Sequence, residues 1–138
     1  MVFVSRLGFA QIQDYDALKQ KLENRYQINI YDDYNLDFFP AYWLDPPYNL
    51  QASGMKEEKQ QLVLNCVNNV LKNYPNDLIC STITSLYLLD SAVFSGGYVL
   101  PPVYTNNQCI YIIGNGLEND TLEKKFEEEF ENIFYRKS

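Results

Sequence analysis

The chain has 138 residues, 46% of them hydrophobic and 21% charged, which is ordinary globular usage and excludes wholesale disorder, collagen-like structure and coiled-coil arrays. Lys and Arg number 11 against 18 Asp and Glu, a net charge of −7 that argues against tracking a phosphate backbone or lying on an anionic membrane. There is no histidine, so Ser-His-Asp or Cys-His catalysis and zinc sites built on imidazole are excluded, and one domain of this length is expected to bury a core without a disulfide or metal.

The opening Met1-Val2-Phe3-Val4-Ser5-Arg6-Leu7 lacks the apolar stretch of a signal peptide, and no run reaches membrane-spanning length. Cys66, Cys80 and Cys109 are isolated from one another, a pattern that reads as reduced thiols in a cytoplasmic protein, most of them buried as small apolar residues. Asp14 is placed to cap a helix through about Tyr26, because Tyr15, Leu18, Leu22 and Tyr26 recur at spacings of three and four. Gln27 to Tyr31 follows as a strand with Ile28 and Ile30 on one face, ended by Asp32-Asp33.

From about 32 to 54 no period is sustained. Pro40, Pro46 and Pro47 break the stretch, and Tyr34, Phe38, Phe39, Tyr42, Trp43 and Tyr48 alternate with acidic residues, so it reads as a long loop or a pair of short extended segments. Met55 to Tyr74 is the clearest interior helix. Val63, Val67, Val70 and Tyr74 form its stripe, Leu62, Cys66 and Leu71 widen it, and Pro75-Asn76-Asp77 ends it. Leu78 to Leu89 is strand-like. Ser95-Gly96-Gly97 and Pro101-Pro102 mark a second loop, and Cys109 to Ile113 is apolar on both faces, as a central strand requires. Gly114-Asn115-Gly116 makes a turn, Asp120 and Glu123 resemble a capping box, and Leu122, Phe126, Phe130, Ile133 and Phe134 give the last helix its apolar face. The order predicts one α+β domain spanning 1–138, a small mixed sheet packed against three helices.

Two features are candidates for function. Glu123, Glu127 and Glu131 follow at intervals of four, where like charges repel by roughly 0.2 to 0.5 kcal/mol per pair, so the row needs an offsetting contact. It is either a solvated helix face, helped by Lys124 and Lys125, or a carboxylate patch for a basic partner. One helix face supplies too few ligands for a hard cation. The second feature is the set of loop rings, with Tyr98 and Tyr104 added from the later loop. These rings either fold back to complete the core or stay exposed as anchors, and Asp32, Asp33, Asp37 and Asp45 among them favour exposure.

The stretch from Leu62 to Lys137 also resembles the first half of the catalytic domain in bacterial zinc-binding metallopeptidases of the H-E-x-x-H class. The resemblance is carried by Leu71-Lys72-Asn73-Tyr74-Pro75 closing a helix, by the strand Ile110-Tyr111-Ile112, and by a helix opening with Thr121-Leu122-Glu123. In that family the next helix carries the motif after an aromatic residue. The corresponding letters here are Phe126-Glu127-Glu128-Glu129-Phe130-Glu131-Asn132, which put Glu128 and Asn132 at the histidine positions and keep only Glu129, at the general base. The resemblance thus implies shared ancestry and fold with the metal ligands lost.

Together these readings describe a non-catalytic, acidic protein-binding domain with no cofactor and no metal. Tyr42, Trp43 and Tyr98 are its expected apolar anchors, and Glu127, Glu128 and Glu131 its expected steering charges. The expected partner is a protein with a basic surface, not nucleic acid or membrane, in the manner of an inhibitor, immunity or anti-defence protein. A truncated or degenerate metal-dependent hydrolase and a structural subunit of a homo-oligomer are the alternatives.

Overall fold

The computed structural model describes residues 15–33, 39–114 and 118–137. Roles assigned above to Met1–Leu7, Asp14, Tyr34, Asp37, Phe38, Asn115 and Gly116 fall outside the described residues.

Helix α1 (15–26) buries Leu22 and Tyr26 completely and packs Tyr15 and Leu18 on the same cluster, so the stripe of threes and fours is its core face. It stops at Gln27, whose φ of 56° is left-handed, and Gln27 Nε2 donates to the Asn24 carbonyl at 2.6 Å. Strand β1 (Asn29–Tyr31) follows, with Ile28 and Ile30 both buried as expected. The Ile30 amide donates to a Glu23 carboxylate oxygen at 3.0 Å, tying the strand back to its helix.

The stretch after β1 is more ordered than its sequence suggests. Pro40 leads into the single turn α2 (Ala41–Leu44), and β2 (Gln51–Gly54) follows. Four residues are too few to display a helical period, and Gln-Ala-Ser-Gly carries no β-branched or aromatic signal; β2 exists because β3 offers it hydrogen bonds. Helix α3 (Glu57–Leu71) is shorter at both ends than the Met55–Tyr74 expected. Leu64 is fully buried on it, whereas Leu62 is 46% exposed and does not widen the apolar face.

The expected Leu78–Leu89 strand is corrected at its first half. Pro75 precedes helix α4 (Asn76–Thr82), with Asp77 in its first turn, and the buried Ile79 and Thr82 lie three apart, a helical spacing. Strand β3 (Ser85–Val93) starts after it and runs past Leu89. A 3-10 turn at Ser95–Gly97 leads to β4 (Val103–Asn106), then β5 (Cys109–Ile113) and helix α5 (Asn119–Lys137). Asp120 is in the first turn of α5 and so is not its cap residue.

The five strands form one mixed sheet in the order β1-β3-β5-β4. Strands β1 and β5 run parallel to β3, and β4 runs antiparallel to β5. Leu89 pairs with Ile113 on one side and Gly54 on the other, so β2 continues the edge of β3 that β1 begins. Period-two alternation then divides the molecule into two cores. Ile30, Leu86, Leu88, Val103, Ile110 and Ile112 face α1, α3, α4 and α5, meeting Val67, Ile79, Phe126 and Phe130. Tyr87, Leu89, Tyr104, Tyr111 and Ile113 face the other way, onto Phe39, Trp43, Leu50 and Leu100. At the Ser53/Gly54 register shift β3 carries an extra residue, Asp90, which puts Ala92 on the face of Leu89. This is the expected α+β architecture with a mixed sheet. No helix among the described residues is long and apolar enough to cross a membrane.

Candidate functional site

The second face of the sheet is an aromatic surface, built by register. Tyr31 pairs with Tyr87, Tyr87 with Tyr111 and Tyr111 with Tyr104, so four tyrosines form one row across β1, β3, β5 and β4. Tyr31 stacks on Tyr87 at 5.0 Å between ring centroids, and Tyr87 on Tyr111 at 4.5 Å. Burial shapes the chemistry of the row: Tyr87 is pushed up to about 12 by burial and by Cys109, and Tyr111 is raised by burial and by Tyr87. Both hydroxyls stay protonated at neutral pH.

Above this row α2 and the turn after it deliver a second layer. Phe39 stacks on Tyr111 at 5.9 Å, and Trp43 lies 5.4 Å from Tyr111, 5.8 Å from Phe94 and 5.9 Å from Tyr104. The α2 turn leads into a cis Pro46–Pro47 bond, and the Tyr48 and Asn49 amides donate to the Asp45 carbonyl at 2.9 and 3.1 Å. On the other side, Gly96 and Gly97 take φ of 87° and 86°, a conformation L residues rarely adopt, which lets the Phe94 amide donate to the Tyr98 carbonyl at 2.7 Å. The Ser95 amide donates to the Tyr48 carbonyl at 2.8 Å, pinning the two loops together.

Between these loops lies a cleft of about 320 Å³. Tyr42, Trp43, Pro47 and Tyr48 line it from the first loop, and Phe94, Ser95, Tyr98, Leu100 and Tyr104 from the second. Tyr42 is 60% exposed and Tyr98 61%, so two of the three expected anchors stand in solvent beside it. Trp43 is corrected: at 5% exposure it belongs to the second core and forms the floor of the cleft instead of projecting from it. Tyr48 and Tyr104, both among the candidate loop rings, also line it, and so does Phe94, which was not among those rings. For Phe94 the available signal was its place at the end of β3, directly before Ser95-Gly96-Gly97.

None of the described lining residues is charged. The chain carries no lysine or arginine anywhere in 26–55 or 73–123, the two stretches that contribute the whole sheet and both loops, although Asp32, Asp33, Asp45, Asp77 and Asp90 fall within them. The cations are confined to the helical layer, the turns at its ends and residues outside those described. Asp32 is engaged within the chain. Burial works against its charge, but Tyr15 Oη donates to it at 2.5 Å and Lys19 Nζ at 3.1 Å, and these hold its carboxyl below the usual range.

The expected steering charges lie on the opposite side of the sheet. Tyr74, in the turn after α3, donates through Oη to the Glu127 and Glu131 carboxylates, at 3.3 and 3.0 Å, and Asn69 Nδ2 on α3 donates to Glu123 at 3.0 Å. The contact that offsets the glutamate row is therefore internal, a seam between α3 and α5. Glu128 is exposed. Helix α5 and the cleft lie on different faces, so no single flat surface includes both sets of expected residues.

Among the described residues no three His, Cys, Asp or Glu side chains gather into a metal-ligand set. Thr121 to Asn132 occupies one continuous helix here, α5, whereas the metallopeptidase resemblance puts the motif on a helix of its own. Cys66 is buried, Cys109 half-buried and Cys80 exposed, which corrects the expectation that most of the thiols are interior. No protein-family model, no curated protein and no solved structure matches the chain.

Proposed function

We propose that this chain is a non-catalytic binding domain that engages a protein partner through the aromatic cleft, with Tyr42, Tyr48 and Tyr98 as contact residues and Trp43 as the floor. The observation that carries this reading is three large rings standing exposed around one cleft, whose described lining holds no cation. Tyrosine supplies large contact area at low conformational cost, which is why it is enriched at binding surfaces. A basic partner surface complements the field of the −7 chain. Glu128, with Glu127 and Glu131, contributes to that field at long range, not by contact, because α5 lies behind the sheet. A domain that acts by occupying a basic protein suits an inhibitor, immunity or anti-defence role. The metallopeptidase-like ancestry belongs to the same proposal, as a scaffold whose ligand positions now hold Glu128 and Asn132.

The test is affinity capture from the native host with wild-type chain and with a Tyr42→Ala, Tyr98→Ala double variant. Both positions are mostly exposed, so the variant is expected to melt with the wild type. A specific protein retained by the wild type and lost by the variant supports the reading. Equal retention by both, or self-association in place of a partner, overturns it.

A further inference from the structure

Four of the cleft rings form a closed cycle. Tyr42 meets Trp43 at 6.4 Å and 85°, and Trp43 meets Phe94 at 5.8 Å and 79°. Phe94 meets Tyr48 at 6.3 Å and 76°, and Tyr48 returns to Tyr42 at 6.0 Å and 74°. Each ring stands nearly at right angles to the next, and all four line the cleft. Aromatic faces are negative and attract a cation within about 6 Å of the centroid.

From this we infer that the cleft binds a trimethylammonium group, an inference that rests on the cleft being the binding surface proposed above. Charge selects a cation: no lysine or arginine lies in 26–55 or 73–123, and Asp45 stands in the turn between Trp43 and Tyr48. The lining selects which cation. A primary ammonium is compact and strongly hydrated and has three N–H donors to satisfy. Among the described residues that line the cleft there is no carboxylate to receive them. A trimethylammonium group has no N–H donor and spreads its charge over methyl groups, so ring faces alone suffice. A nucleobase would stack as well, but its phosphates would meet a negative field with no cation to neutralise them.

The same group occurs on free choline-like solutes and on trimethylated lysine of a protein, so both are tested. Trp43, the only tryptophan, lies on the cleft floor and reports occupancy by its fluorescence, with amide chemical shifts as a second readout. At constant ionic strength the wild-type chain is titrated with choline, with a trimethyllysine peptide, with the unmodified peptide, and with 3,3-dimethylbutan-1-ol, the uncharged isostere of choline. Saturable binding of choline or the trimethyllysine peptide is expected, at least about five-fold tighter than the isostere and than unmodified lysine. The tighter of the two cations identifies the source of the group. Tyr42→Ala and Tyr48→Ala are expected to weaken binding about five-fold or more, and Tyr42→Phe, which keeps the ring face, to retain it. No saturable signal from either cation up to about 50 mM, or an isostere that binds equally, overturns the inference. If a protein partner is nevertheless captured through Tyr42 and Tyr98, only this inference falls; if capture is absent too, the binding reading falls with it.

Discussion

The rings of Tyr87 and Tyr111 lie 4.5 Å apart between centroids, with planes 11° from parallel, on directly paired residues of β3 and β5. Cross-strand pairing brings the two side chains together, and the loops then close over them: Phe39 and Trp43 both rest on Tyr111, which is 2% exposed. Trp43, the floor of the cleft, thus rests directly on the center of the second core.

Truncating Tyr111 should therefore damage stability and the cleft together. Tyr111→Ala is expected to cost about 3 to 5 kcal/mol in urea unfolding, as for other buried aromatic truncations, and to shift Trp43 emission toward that of an exposed indole. Tyr111→Phe, which keeps the stack, should cost less than about 1.5 kcal/mol. Equal losses for the two variants would show that the ring stack contributes little.

The seam between α3 and α5 gives a coupled pair. Tyr74→Phe removes the hydroxyl that serves Glu127 and Glu131, and about 1 kcal/mol of destabilisation is expected. In a Glu127→Gln background the like-charge repulsion is already relieved, so the same change should cost distinctly less. A double-mutant cycle by thermal or urea unfolding measures the difference; additivity would contradict the seam.

Tyr26 poses the opposite case. It is fully buried, and its hydroxyl has no hydrogen-bond partner among the described residues. Tyr26→Phe should be neutral or stabilising, by up to about 1 kcal/mol, because no bond is lost and a desolvated polar atom is removed. A clear loss of stability in urea would reveal a bond to the hydroxyl.

Acid stability should carry the mark of Asp32. Its carboxyl is held below the usual value in the folded state by Tyr15 and Lys19, so the stability it contributes is present above the unfolded value of about 3.9 and is lost as pH falls through the lower folded value. Asp32→Asn is expected to lower stability at pH 7 and to flatten the loss between about pH 4 and pH 2. Unfolding curves across that range give the slope directly, and an unchanged slope counts against the assignment.

The three thiols should separate by reactivity. Burial, together with Glu123 beside it, pushes the Cys66 thiol up to about 11, whereas Cys80 is exposed. A disulfide exchange reagent at pH 8 should label Cys80 first and Cys66 only on unfolding. Mass spectrometry of partly labelled protein assigns the order.

Much of the helical layer was legible in the sequence, because α1, α3 and α5 repeat their apolar residues at spacings of three and four long enough to be read: Leu22 and Tyr26, Val63 and Val67, Phe126 and Phe130. Strand β5 was legible for the same kind of reason, its apolar run being buried on both faces. What failed was short or dependent on a neighbour. Helix α4 has seven residues and carries Ile79 where a strand also would, and β2 has no strand propensity of its own. The cleft was half legible. Tyr42 and Tyr98 could be read as exposed from their loops, but the fate of Trp43 depends on Tyr111, sixty-eight residues later, and no local pattern reports a contact of that range. The glutamate row raised the right question and received an internal answer from Tyr74.

The way β1 and β2 share the flank of β3 bears on solubility. Strand β3, at nine residues the longest, has hydrogen-bonding partners on both sides, and the strands left at the margins of the described sheet have three or four residues each. Long, flat margins are the templates on which chains zip together into fibrils. Here the β-rich, tyrosine-laden center is fenced by pieces too brief to recruit another copy, which lets the molecule carry a sticky aromatic surface without inviting runaway polymerisation.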